Sequence, residues 1–163
     1  MGIALRKAEP SDREAVRRLY RACVELGDTC WNEEYPNDAV IDEDIAMGAL
    51  YLYGGGTEAL GAVSLLPFDD VEEIGLAFRF ADRPCVLCRL CVAPSRRHKG
   101  EGRGLLEAAE RKAAGLGYRA VHLLCDKRNA SANRLYRVAG YREAGEAGMY
   151  GLCFLAYEKQ LAE

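Results

Sequence analysis

Apolar residues recur at helical spacing over Val16, Leu19, Tyr20 and Cys23, which predicts a helix over 12–26. Ser11 with Glu14 three residues later reads as a capping box, and Gly27 as the residue that ends the helix. Before it, IALRKA (3–8) predicts a short strand. DTCWNEEYPN (28–37) breaks every period, and DAVIDEDIAMG (38–48) predicts a second helix that stops at Gly48. ALYLY (49–53) and EALGAVSLL (58–66) flank GGGT (54–57), the pattern of a hairpin. Residues 67–84, with PFDD and DRP, read as a loop or short helix. PCVLCRLCVAP (84–94) is a nearly continuous apolar strand bounded by prolines, with Arg89 its one charge. Leu105, Leu106, Ala109, Ala113 and Leu116 line one side of a helix over 101–116, where Glu107 and Arg111 stand at pairing distance. YRAVHLLC (118–125) predicts a strand, NASANRLYRVAG (129–140) a short helix, YREAG the start of a strand, and MYGLCFLAYEKQL (149–161) a last strand. The order is β–α–α–β–β–β–α–β–α–β–β, without linker or repeat, so a single mixed α/β domain over 1–163 is expected. The strand–helix–strand unit from 85 to 125 should be a right-handed parallel crossover.

Composition narrows the function. The chain has 163 residues, half of them hydrophobic, enough for one domain with a core. Its net charge of −3 argues against general nucleic-acid binding. No apolar run approaches the roughly 20 residues that span a bilayer. MGIALRKAEPSDRE lacks an apolar h-region, and Arg6 stands where a myristoylation motif wants Ser or Thr. A cytoplasmic protein with no membrane partner is expected.

Seven cysteines, an odd count, favour reduced thiols. CVLCRLC (85–91) has metal-ligand spacing, but Ser95 stands where a fourth cysteine is wanted. On a strand, Cys88 also faces away from Cys85 and Cys91. Small buried hydrophobes are the expected role, and no metal.

The densest positive charge, Arg96, Arg97, His98 and Lys99, runs straight into Gly100, Gly102 and Gly104 at the start of a helix. Unpartnered N–H groups at a helix start, backbone without Cβ atoms and basic side chains together suit a compact anion. A P-loop is excluded because Leu105 and Leu106 follow Gly104. A dinucleotide fingerprint is excluded because the residue three after Gly102 is Leu105.

The spacing that fits is R-x-x-G-x-G, from Arg97, Gly100 and Gly102, within L-x-V-x-P-x-x-R-x-x-G-x-G-x-x-L-L from Leu90 to Leu106. With NASANRLYRVAGY (129–141), which matches N-x-x-A-x-x-L-Y-x-x-x-G-[FY], the chain resembles the GCN5-related N-acetyltransferase (GNAT) superfamily over essentially its whole length. The resemblance implies a mixed, mostly antiparallel sheet of six to seven strands, about four helices, and a central parallel unit of fourth strand, third helix and fifth strand. It implies an acetyl-coenzyme A-dependent N-acyltransferase with a small-molecule or peptide amine as acceptor, and it leaves a homodimer open. Longer acyl groups, and a non-catalytic acyl-coenzyme A-binding module on the same fold, remain alternatives.

By the same resemblance, the backbone near Leu90, Cys91 and Val92 pairs with the pantetheine arm. The turn His98, Lys99, Gly100, Glu101, Gly102, Arg103 and Gly104 cradles the pyrophosphate, with Arg97 assisting; those basic side chains could equally be a solvated turn. Tyr136 aligns with the family's proton donor to the departing thiolate, or is a core tyrosine. Asn129 bonds the pantetheine region, or is a plain N-cap. Many relatives carry an acid where this chain has Cys88. That leaves the general base open among Glu33, Glu34, Asp38, Glu72, Glu73 and a water chain. Trp31, Glu33, Glu34 and Tyr35 form an aromatic and acidic group suited to a cationic amine, or a structural loop.

Overall fold

The computed structural model describes residues 2–27, 30–54, 58–67 and 76–162. Among the described residues thirteen elements follow in order, of which seven are strands and four are α-helices, with two 3-10 turns between them. The strands and α-helices are β1 (Arg6–Lys7), α1 (Arg13–Leu26), α2 (Asp38–Ala46), β2 (Leu50–Tyr53), β3 (Gly61–Leu66), β4 (Pro84–Val92), α3 (Glu101–Gly115), β5 (Ala120–Asp126), α4 (Ala130–Val138), β6 (Arg142–Met149) and β7 (Leu152–Gln160), and the 3-10 turns are Pro10–Asp12 and Pro94–Arg96. The strands hydrogen-bond in the order β1-β2-β3-β4-β5-β7-β6. Two compact units divide the chain: Met1–Leu65 with Arg89–Ala109, and Leu66–Cys88 with Glu110–Glu163.

In the first unit β1, β2 and β3 form an antiparallel ladder, with Arg6 opposite Leu52 and Tyr53 opposite Gly61. The helical spacing of Val16, Leu19, Tyr20 and Cys23 faces α1 onto Ile41, Leu50, Leu52, Ala62 and Cys91 in one apolar cluster. Asn37 caps α2, its side chain accepting from Val40 N at 3.0 Å. Gly61 is needed because a Cβ there would come within 2.1 Å of the Tyr53 ring.

In the second unit β5 pairs in parallel with β4, Pro84–Val86 against Ala120–His122, as the pattern predicts. On its other side β5 pairs antiparallel with β7 along its whole length. Two polar residues opposite each other, His122 and Glu158, are fully buried here. Glu158 accepts from Arg79 N at 3.0 Å and Phe80 N at 2.7 Å and is ion-paired with Arg142. His122 Nε2 meets Phe80 O at 2.7 Å, and its ring stacks on Phe78 at 3.8 Å. These contacts tie the segment before β4 to the sheet and satisfy the buried groups.

Several local expectations change. The first strand shrinks to the two residues that pair with β2. The Ser11–Glu14 box does not form. Pro10 opens a 3-10 turn instead, and the Asp12 carboxylate takes Glu9 N at 2.8 Å and both arms of Arg6. Glu107 pairs with Arg103 at 2.9 Å rather than with Arg111. Leu116 is 53% exposed because α3 ends at Gly115 and leaves it off the apolar stripe. The final hairpin turns at Tyr150 and Gly151, both at positive φ, so β6 reaches Met149. Positive φ at both central residues suits a two-residue hairpin turn.

Candidate active site

The first unit carries the glycine turn. After β4, Pro94–Arg96 make a 3-10 turn, His98 and Gly100 take positive φ of 61° and 78°, and α3 starts at Glu101. Gly104 N bonds back to Gly100 O at 3.1 Å, so the N–H groups just before it belong to the first helical turn, which has no intrahelical acceptors. A Cβ on Gly100 would meet nothing within 4 Å, so the face of the turn at this residue is open. A side chain there would be strained by the left-handed backbone rather than blocked. The turn thus brings Arg97, His98, Lys99, Gly100, Glu101, Gly102, Arg103 and Gly104 together, directly after Leu90, Cys91 and Val92 at the end of β4.

The charges on this turn divide. Arg96 forks onto Glu101 at 3.0 Å and holds its carboxyl below the usual glutamate range; Tyr53 Oη also donates to Glu101 at 3.0 Å. The Glu101 side chain is therefore engaged, and its backbone N–H is what it offers to an anion. Arg97 Nε donates to Val92 O at 3.4 Å, Arg103 pairs with Glu107, and His98 and Lys99 are exposed.

Midway along β4, Arg89 takes a positive φ of 50°. A non-glycine residue pays about 1–2 kcal/mol for that conformation. Its guanidinium forks onto the Asp44 carboxylate of α2 with two bonds of 2.8 Å. Ser64 Oγ of β3 donates to the same carboxylate at 2.7 Å, and Arg89 Nη1 donates to Tyr35 Oη at 2.9 Å. Sequence reasoning missed Asp44 and Ser64. The available signal was Arg89 itself, a charge inside an apolar strand, which demands a buried partner.

Residues 31–36 form a loop bonded to itself. Asn32 N donates to Tyr35 O at 2.9 Å, and Glu34 N to Asn32 Oδ1 at 2.7 Å. Arg21 of α1 donates to the carbonyls of Glu33 and Pro36. Trp31 packs edge-on against Tyr20 at 5.2 Å, while Glu33 and Glu34 are exposed. Asp38 is gripped by Arg17 at 2.8 and 2.6 Å, which holds its carboxyl below the usual aspartate range. Glu72 and Glu73 lie outside the described residues.

The second unit carries Asn129 and Tyr136. Asn129 is the N-cap of α4, its Oδ1 accepting from Ala132 N at 3.1 Å. Tyr136 is buried, with its ring 5.6 Å from those of Tyr141 and Tyr157. Burial first, then the nearby Cys125 and Cys88, push its phenol well above the ordinary tyrosine value, so it keeps its proton. No hydrogen bond to its hydroxyl is made by the described residues. Asn133, which the sequence did not single out, fixes the helix: it donates to Asp126 O and Asn129 O and accepts from Tyr157 Oη at 2.7 Å.

All seven cysteines are thiols. Burial pushes Cys85 up to about 12 and raises Cys91 as well, so both behave as packing groups. Among the described residues no group of three or more His, Cys, Asp or Glu side chains is placed to hold a metal ion. No helix among them is long and apolar enough to cross a membrane.

Residues 13–141 match the model of the acetyltransferase (GNAT) family. No curated protein matches the chain. A GNAT-family acetyltransferase from Streptococcus agalactiae has the same fold, with a TM-score of 0.83 at 19% identity over 99% of this chain and 96% of that one. A ribosomal-protein-alanine N-acetyltransferase from Brucella melitensis gives 0.73 at 24% identity, over 98% and 100%. The ribosomal-protein-S18-alanine N-acetyltransferase from Escherichia coli gives 0.74 at 15%, over 98% and 94%. At these identities the likeness is one of fold.

Proposed function

This chain belongs to the acetyltransferase (GNAT) family, and from that premise we propose that it is a single-domain cytoplasmic enzyme that transfers acetyl from acetyl-coenzyme A to a primary amine by direct attack, without an acetyl-enzyme. The observation that carries the reading is the turn from Arg97 to Gly104. Its positive φ at His98 and Gly100 and its open face before the α3 start fit a diphosphate. When bound, acetyl-coenzyme A supplies a thioester carbonyl open to attack by an amine.

The chain's own groups take the following parts. Backbone N–H groups from His98 to Gly104 bind the diphosphate, and Arg97, His98, Lys99 and Arg103 add positive field. Leu90, Cys91 and Val92 offer backbone groups to the pantetheine arm. Asn129 orders the start of α4, the helix that carries Tyr136. Tyr136 stays a phenol at neutral pH, because burial raises its pKa, and delivers its Oη proton to the leaving thiolate. Trp31, Glu33, Glu34 and Tyr35 form the wall that receives a cationic amine. The amine's proton leaves through water or one of the exposed carboxylates of Glu33 and Glu34; the grip of Arg17 makes Asp38 a poor acceptor.

Cys88, standing on β4 without a carboxylate, favours one rival: an acyl-coenzyme A-binding module without turnover. Calorimetry with coenzyme A and thiol release over a panel of amino acids, polyamines and peptides separate the two. Binding with amine-dependent thiol release supports the enzyme. Binding with no turnover selects the module, and no binding by the wild-type chain rejects both.

A further inference from the structure

The strained residue of β4 and the loop at 31–36 are joined by one chain of polar contacts. It runs from Ser64 Oγ to the Asp44 carboxylate, through the Arg89 fork, to Tyr35 Oη. Three of its members come from regular elements, namely β3, α2 and β4. Asp44 is 3% exposed, so its end of the chain is fixed in the core. Tyr35 is 40% exposed and sits in a loop. Two arms of the guanidinium are bound by Asp44, which sets its plane and aims Nη1 at Tyr35.

A planar fork held on two sides is a pre-organised donor, unlike a flexible lysine. The backbone adds to this. Arg89 holds φ 50° while its side chain reaches α2 and the loop, on the side of β4 where Cys91 joins the cluster with Ile41 and Ile45 of α2. Strain at a residue inside a strand, retained by a buried ion pair, is the pattern of a site that sets geometry.

We infer that Arg89, anchored by Asp44 and Ser64, is a positioning residue that fixes Tyr35, and through it the 31–36 loop, for binding of the acceptor amine. The inference rests on the reading of that loop as the amine wall. It assigns a role on the acceptor side to Arg89, Asp44 and Ser64, and it makes Tyr35 Oη a point at which the core sets the loop, beside the Tyr20–Trp31 contact and the bonds from Arg21. Glu33 and Glu34 then keep their place through the backbone, held by the pinned Tyr35 and by Arg21 on the Glu33 and Pro36 carbonyls, not through contacts of their own carboxylates.

Hydrogen exchange by mass spectrometry on the peptide over 31–37 tests it without any acceptor. The amides of Asn32 and Tyr35 are bonded across the loop, so their exchange reads loop opening. Tyr35→Phe removes one hydroxyl from a partly exposed ring and should leave the fold intact. It is expected to speed exchange of this peptide about fivefold, the loss of one hydrogen bond. Arg89→Lys keeps a charge against Asp44 but loses the fork, and it should give the same increase. The double variant should exchange no faster than either single one, since both remove one contact. Unchanged exchange in Tyr35→Phe, or effects that multiply in the double variant, overturns the inference. Should Arg89→Lys fail to fold, Tyr35→Phe against wild type decides alone.

A kinetic arm separates positioning from simple support of the fold. With any primary amine that gives thiol release, Tyr35→Phe should raise KM for the amine about fivefold. KM for acetyl-coenzyme A and kcat should stay within twofold. A fall in kcat with an unchanged amine KM contradicts the inference. If the wild-type chain acetylates no amine in the panel, the enzymatic reading fails while the exchange experiment still decides this one.

Discussion

Arg89 and Asp44 meet through two hydrogen bonds of 2.8 Å, although 45 residues separate them in sequence. Both side chains are nearly shut off from solvent, at 10% and 4% exposure. Removing one partner strands the other charge in the core. Asp44→Ala should therefore cost about 3–5 kcal/mol of folding stability. Urea unfolding measures it, and a loss below about 1 kcal/mol would show that the pair is not the anchor described above.

Gly100 is held at φ 78° with open space where a Cβ would point. Gly100→Val should fold, but it brings a β-branched residue into left-handed backbone and a side chain onto the face that receives the diphosphate. Coenzyme A affinity should drop at least tenfold by calorimetry, with the far-ultraviolet circular dichroism spectrum unchanged. Affinity equal to wild type would remove the turn from the binding site.

Glu158 gives the chain an acid-sensitive point. Burial raises its pKa, but the N–H groups of Arg79 and Phe80 and the Arg142 guanidinium outweigh that, and the net shift is downward. A carboxyl with a depressed folded pKa stabilises fully above the unfolded value, about 4.3. That contribution disappears as pH falls from there through the lower folded value. Urea midpoints at pH 7 and pH 3.5 should therefore differ more for wild type than for Glu158→Gln. Equal differences would mean that other carboxylates govern acid unfolding.

Tyr136 combines burial, a raised pKa and a hydroxyl that no described residue engages. Tyr136→Phe should lower kcat about 100-fold while coenzyme A affinity stays within twofold. Because the phenol holds its proton, wild-type kcat should show no basic limb from this group below about pH 10. A Phe variant with full kcat across pH would return Tyr136 to the core.

The order of elements was legible because each carries its own local signal. The apolar stripe of α1, the prolines around β4 and the glycines before α3 report structure within a few residues. The glycine turn was legible for the same reason, and so was Asn129 as a cap. The anchors were not. Asp44 reads as one more acid on a helix rich in them, and Ser64 as a small residue in an apolar strand. Glu158, in AYEKQ, reads as the first of the polar residues ending a strand, yet it is fully buried. Each is defined by a partner far away in sequence, and such pairing leaves no periodicity behind. The backbone of Arg89 is also invisible locally, since nothing in LCRLC asks for a positive φ. The Ser11–Glu14 reading failed where Pro10 and Arg6 together gave Asp12 a better arrangement.

The central claim is acetyl transfer to an amine, and thiol release from acetyl-coenzyme A with and without added amines tests it most directly. Amino acids, polyamines and short peptides, each at millimolar concentration, should include at least one that raises release well above the rate without amine, with acetylated amine formed in equal amount. Tight coenzyme A binding together with a release rate that no amine increases would contradict the claim.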